Sequence, residues 1–192
     1  MNSKRRIVVG ISGASGAPYA VQLLKQLKNM DDVEVHLVMS DAAQLTIKLE
    51  CPDITSIDEI INSYCAHYHK IGDVGASIAS GSFKTEGMIV IPCSIRTMSE
   101  IAHGINSNLL TRAADVVMKE KRKLILAVRE TPLHLGHLRT MVSLTEMGAI
   151  IAPPVPSFYN NPKSLSDIVH HYVSRILGMF NMKSDISEWK GL

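Results

Sequence analysis

The groups in this chain that could do chemistry collect just downstream of its apolar runs. Ser15, Ser40, Ser94 and Thr97 bring hydroxyls, Arg96 and Arg129 bring cations, and turn amides surround Gly13, Ala14 and Ile95. That is equipment for holding one or more phosphates. The richest segment runs from Ile7 through Gly13-Ala14-Ser15-Gly16 to Pro18. An apolar strand enters a turn of small residues, then a proline suited to opening a helix, so the backbone can approach an anion with the positive helix end facing it. Glycines at 10, 13 and 16 fit neither G-x-G-x-x-G nor G-x-x-x-x-G-K-[ST]. The dinucleotide and P-loop readings lose their support and a mononucleotide remains.

No nucleophile–base pair stands out. Each loop serine taken alone reads as a helix cap; their convergence is what suggests a site. Cys93, beside Pro92 with no histidine at a readable distance, reads as packing. His134-x-x-His137 and His170-His171 lack a third ligand at a recognised spacing, so no metal is expected. Arg112 and Lys119, seven residues apart, share one helix face interrupted by Asp115 and by periodicity read as a solvated stripe. Arg175 sits in a core-rich helix and needs an anionic partner if buried.

Alternating strands and helices must position these groups. Apolar runs at Ile7–Ile11, Val33–Met39, Gly87–Pro92, Lys123–Val128 and Ala149–Ala152 suit strands of a buried parallel sheet. Helical patterns lie between them at Tyr19–Met30, Ala42–Leu49, Ile57–Cys65, Thr97–His103, Leu109–Lys119 and Leu138–Met147, with a last one at Leu165–Phe180. The expected fold is α/β: a doubly wound parallel sheet in three α/β/α layers, flavodoxin-like or Rossmann-like, with ligands beyond the carboxyl ends of the strands. One domain is expected over residues 1–192, with 181–192 a C-terminal tail.

Composition narrows the function classes. Twenty basic and 18 acidic residues give a formal charge of +2 with no basic stripe, which argues against nucleic acid. The first apolar run is too short for a signal peptide and dissolves into Gly and Ser. Three cysteines, Cys51, Cys65 and Cys93, suggest reduced thiols, so a cytoplasmic protein without membrane insertion is expected.

Seven motifs occur in order: G-A-S-G-A (13–17), V-M-S (38–40), A-S-G-S (79–82), P-C-S-I-R-T (92–97), R-A-A-D-V-x-x-K-E (112–120), R-E-T-P-L (129–133) and F-Y-N-x-P (158–162). Together they resemble the UbiX-type flavin prenyltransferases from Ile7 to about Trp189. The resemblance implies a homo-oligomer, a dodecamer, that joins reduced FMN to a dimethylallyl group supplied as dimethylallyl phosphate. Flavin N5 would attack the allylic carbon as phosphate departs, and the other end of the allyl unit would close onto C6. The prenylated FMN would serve a separate UbiD-type decarboxylase, in ubiquinone synthesis or in aromatic-acid breakdown.

By motif match, the resemblance assigns Gly13, Ala14, Ser15, Ser40, Ser94, Ile95, Arg96, Thr97 and Arg129 to FMN. It assigns Ser80, Gly81, Arg112, Lys119, Tyr159 and Arg175 to the prenyl phosphate, which revises the bland reading of the helical cations. Ser15 and Glu50 become the proton-handling pair beside N5, and Glu130 works as acid or base near the phosphate. A ring of arginine and lysine can hold a departing phosphate without a metal. The tryptophan that some members carry before A-S-G-S is replaced here by a stretch around Val74, and Trp189 is the candidate to supply its cation–π contact. Two alternatives remain: a flavin-dependent cysteine decarboxylase, whose asparagine-bearing loop is not seen, and a flavin-binding carrier or chaperone for a decarboxylase.

Overall fold

In a computed structural model, which describes residues 4–183, six strands form one parallel sheet. They are β1 (Arg5–Ile11), β2 (Val33–Met39), β3 (His67–His69), β4 (Gly87–Cys93), β5 (Lys123–Val128) and β6 (Ile150–Ile151), in spatial order β3-β2-β1-β4-β5-β6. This is the Rossmann order, in which the winding direction reverses between β1 and β4.

Alternation along the strands builds two cores. One strand face, including Ile7, Val9, Leu37, Ile89 and Ile125, packs under α1 (Ala17–Lys28), α2 (Asp41–Glu50), α3 (Ile57–Tyr64) and α7 (Leu165–Met179). The other, including Val8, Val38, Met88, Val90 and Leu126, packs under α4 (Ile95–Ala102), α5 (Leu109–Lys119) and α6 (Leu135–Glu146). The central strands are buried on both faces, which explains their near-continuous apolar runs.

Differences from the sequence reading have local causes. β3 is a three-residue edge strand written His67-Tyr68-His69, with no apolar run to announce it. The short 3-10 turn at Ser77–Ala79 carries no periodic signal. Ser94 caps α4, so that helix starts at Ile95 rather than Thr97. α6 starts at Leu135 because His134 accepts from the Gly136 and His137 amides through its ring, which gives that histidine a capping role. Cys93 is fully buried and burial pushes its thiol far up, in keeping with a packing residue.

Candidate active site

The crevice opens where the winding reverses, and Ser12 spans it. Its amide and hydroxyl both donate to the Pro92 carbonyl, at 3.2 and 2.9 Å, and its Oγ accepts from the Ser94 amide at 2.7 Å. On the other side the Ser40 amide donates to the Ile11 carbonyl at 3.0 Å. The loop after β1 is thereby held between two helix starts. Ser40 caps α2 by accepting from the Ala43 amide, and Ser94 caps α4 by accepting from the Thr97 amide while donating to Thr97 Oγ1. Both serines act as helix caps, and in doing so they aim two helix N-termini at one space.

That space is a cleft of about 460 Å³ lined by Gly13, Ser40, Ser94, Arg96 and Thr97 together with Glu100 and Asn108. Gly13 must lack a side chain, since a Cβ there would collide with Ala42 at the start of α2. Ala14 is half-buried in the same turn and Ile95 half-buried at the first position of α4. Arg96 is exposed and pairs with Glu100 at 2.8 Å. The cleft, its two helix N-termini and the exposed Arg96 guanidinium suit a phosphate.

The start of α1 holds an anion other than the expected one. Glu50, the last residue of α2, places Oε2 2.7 Å from the Gly16 amide and 2.8 Å from the Ala17 amide. The sequence suggested that these amides would face a phosphate. They carry an internal carboxylate instead, so a phosphate must use α2 and α4. Burial pushes the Glu50 carboxyl up, but the Ser15 hydroxyl, the two amides and the charge of Arg129 outweigh it and hold the group below its ordinary value. Ser15, Glu50 and Arg129 thus form one hydrogen-bonded and electrostatic unit. Arg129 is anchored to the crevice by its own amide, which donates to the Cys93 carbonyl at 3.0 Å.

A second, cationic group lies on the α5 side. Arg112 donates to the Ala79 carbonyl and pairs with Asp115 at 2.9 Å; Lys119 pairs with Glu120 at 2.6 Å. Ser80 and Gly81 run beside them, and a Cβ on Gly81 would stand 2.8 Å from Lys119 Nζ. Arg122, which the sequence reading passed over, fixes this loop by donating to the Gly81 and Phe83 carbonyls at 2.6 and 2.8 Å. It sat in a charged run indistinguishable from a solvated face.

Tyr159 and Arg175 lie elsewhere. Tyr159 meets His171 edge to face at 6.0 Å, and Arg175, exposed on α7, follows one turn later. α7 and α5 cover opposite faces of the sheet, so one chain does not gather all six residues assigned to the prenyl phosphate. Glu130 is exposed and accepts from the Thr131 amide at 3.0 Å. Trp189 lies outside the described residues. Of the groups missed, Asn108 was legible as a helix cap before Leu109, and Glu100 as the i+4 partner of Arg96. Ser12 carried no signal, because its role depends on a strand eighty residues away.

The model of the Flavoprotein family matches residues 1–177. The flavin prenyltransferase UbiX of Escherichia coli K12 is 51% identical over 190 residues, covering 97% of this chain and 99% of that protein. The UbiX of Thauera aromatica is 52% identical, covering 97% and 94%. Among solved structures, AnUbiX in complex with FMN and dimethylallyl pyrophosphate superposes with a TM-score of 0.94 at 42% identity, covering 98% of this chain and 99% of that one. A dodecameric FMN-dependent UbiX-like decarboxylase from Escherichia coli O157:H7 gives 0.93 at 47% identity, covering 97% and 100%. The peptidyl-cysteine decarboxylase EpiD, at 16% identity and a TM-score of 0.61, shares the fold. With its doubly wound sheet, its cleft between two helix N-termini and this similarity along nearly the whole chain, the protein belongs to the UbiX flavin prenyltransferases of the Flavoprotein family.

Proposed function

We propose that this chain transfers the dimethylallyl group of dimethylallyl phosphate to N5 and C6 of reduced FMN, releasing phosphate and giving prenylated FMN for a UbiD-type decarboxylase. The observation that supports this reading is the cleft lined by Gly13, Ser40, Ser94, Arg96 and Thr97 between the N-termini of α2 and α4, with the Ser15–Glu50–Arg129 unit further along the loop that carries Gly13. Reduced FMN would supply two nucleophilic positions: the allylic carbon would bond to N5 as its C–O electron pair leaves with the phosphate, and the other allyl end would bond to C6 once the double bond takes up a proton, with the C6 proton released. Ser40, Ser94, Thr97 and Arg96 would hold the FMN phosphate, with Gly13, Ala14, Ile95 and Arg129 completing the FMN site. Ser15 would relay a proton between the flavin edge and Glu50, and Glu130 would exchange one with the released phosphate.

Arg112, Lys119, Tyr159 and Arg175 would compensate the leaving phosphate without a metal. Their division between opposite sheet faces supports a homo-oligomer, a dodecamer, in which α5 of one subunit meets α7 of another. Three free cysteines support a reducing, cytoplasmic setting, and no helix of the described residues is long and apolar enough to cross a membrane.

The test is an anaerobic incubation with reduced FMN and either dimethylallyl phosphate or its pyrophosphate, read by flavin mass and spectrum. A prenylated flavin is expected, with no CO2 released from an aromatic acid unless a UbiD-type enzyme is added. Recovery of unchanged FMN would favour the carrier reading, and CO2 release by the isolated protein a decarboxylase.

A further inference from the structure

Three histidines and a glutamate meet across β2 and β3, at the sheet edge and away from the crevice. Glu34 and His36 are two residues apart in β2 and share a face. His67 is the register partner of His36, and His69 that of Val38, so both β3 histidines join them. Glu34 Oε1 lies 3.0 Å from His36 Nε2 and 4.0 Å from His67 Nε2, and the three donor atoms all fall within 4.8 Å of one another. An ion with bonds of about 2.0–2.1 Å to imidazole nitrogen and carboxylate oxygen requires donors roughly 3–4 Å apart.

The surroundings suit ligation. His36 is 3% exposed, stacked at 4.7 Å on His67 and at 5.3 Å on His69, with Phe83 edge-on at 5.0 Å. Its Nδ1 is 2.9 Å from His69 Nε2. When Nδ1–H donates there, the lone pair is left on Nε2, facing Glu34. A neighbour behind the ligand that fixes its tautomer is the usual support of a metal-bound histidine. His67, with a side chain 55% exposed, leaves an entry path.

We propose that Glu34, His36 and His67 bind one divalent transition-metal ion, with Zn²⁺ as the reference and His69 orienting His36. Arg6 opposes it, since its Nε shares Glu34 Oε1 at 2.9 Å while its guanidinium rests 4.6 Å over the Phe83 ring. Two protein nitrogens and one oxygen leave a position open to water. The ion would tie the three-residue edge strand β3 to β2. Glu34 stands at the start of β2 and Ser40 beyond its end, so occupancy leaves the flavin crevice alone.

The experiment uses the full, untagged chain stripped with a chelator, titrated with Zn²⁺ by calorimetry and with Co²⁺ by absorption. We expect one ion per chain and a melting temperature that rises with Zn²⁺, because the ion binds the folded form. His67→Ala should weaken binding at least tenfold and abolish that rise. His69→Ala should weaken it about 10–100-fold, whereas Arg6→Leu should tighten it. FMN affinity should be unchanged in all three variants, and none removes the buried His36. Absence of saturable binding overturns the proposal. So does undiminished binding in both His67→Ala and Glu34→Gln, which would move the ion to His134 and His137 or to His170 and His171.

Discussion

The crevice and the cationic groups are two halves of one candidate site, and they are built in opposite ways. At the crevice every named group is held within the chain: Ser12 clasps β1 to β4, Ser40 and Ser94 cap helices, and Glu50 is fixed by two amides. The cationic residues are divided, Arg112 and Lys119 on one layer and Arg175 on the other, with Lys119 and Arg175 exposed. One subunit can preorganise the flavin half alone. In the proposed reading, assembly would complete the phosphate-leaving half.

α6 carries a face that the proposed assembly would cover. α5 buries Leu109, Leu110, Ala113, Ala114, Val116 and Val117, whereas α6 in the same layer buries only Leu144 and leaves Leu135, Leu138 and Val142 at 59%, 45% and 57% exposure. Those three recur at i, i+3 and i+7, an apolar stripe turned away from its own sheet.

The largest effect should come from within the crevice. Glu50→Gln keeps size and one acceptor for the α1 amides, so FMN should still bind, while losing the carboxylate should slow prenylation about 10²–10⁴-fold. Stopped anaerobic turnover beside an FMN titration checks this; near-normal turnover would make Glu50 a helix cap and nothing more.

A second test removes assembly and keeps the fold. Leu138→Glu should dissociate the oligomer, measured by light scattering, and cost turnover far more than FMN affinity. Its effect on monomer stability should stay within about 0.5 kcal/mol. Leu110→Ala on α5 should instead cost about 2–5 kcal/mol in denaturant unfolding. Similar unfolding losses from the two would erase the contrast between the helices.

Arg175→Ala should reduce use of dimethylallyl phosphate about ten- to a hundredfold, as a charged hydrogen bond is worth about 1.5–3 kcal/mol, with FMN affinity spared. Arg175→Lys should rescue in part, since lysine lacks the planar two-pronged grip. Mixing impaired Arg112→Ala and Arg175→Ala subunits should restore part of the activity if the two layers complete each other between chains. If Arg175→Ala lowers FMN and prenyl-phosphate handling equally, the two halves are one site.

The smallest effects concern caps and acid. Ser94→Ala should cost about 1 kcal/mol of stability. Because the folded pKa of Glu50 is depressed, its contribution is fully present above the unfolded value near 4.5 and is lost as pH falls through the folded one. Acid unfolding of Glu50→Gln should therefore converge on wild type below that range. A constant offset at every pH would show that the charge contributes nothing.

Much of this was legible because it is local. The four longer strands and the two-residue β6 announced themselves by apolar runs, and the caps by Ser and Asn before a periodic stretch. The order of strands, the Ser12 clasp and the Arg122 anchor were hidden, since each depends on contacts tens of residues apart. Periodicity likewise could not separate α5 from α6. It shows that a face wants cover, and leaves open whether the cover is the chain's own sheet or another molecule.

The carboxylate at the start of α1 bears on how the chemistry is timed. The Ser15 hydroxyl, a helix end and an arginine hold the Glu50 carboxyl below its ordinary value, so in the proposed role it would be a weak base but a ready one. Strength of base is exchanged for readiness. In the transfer proposed above, such a residue would serve as a recipient seldom found already protonated.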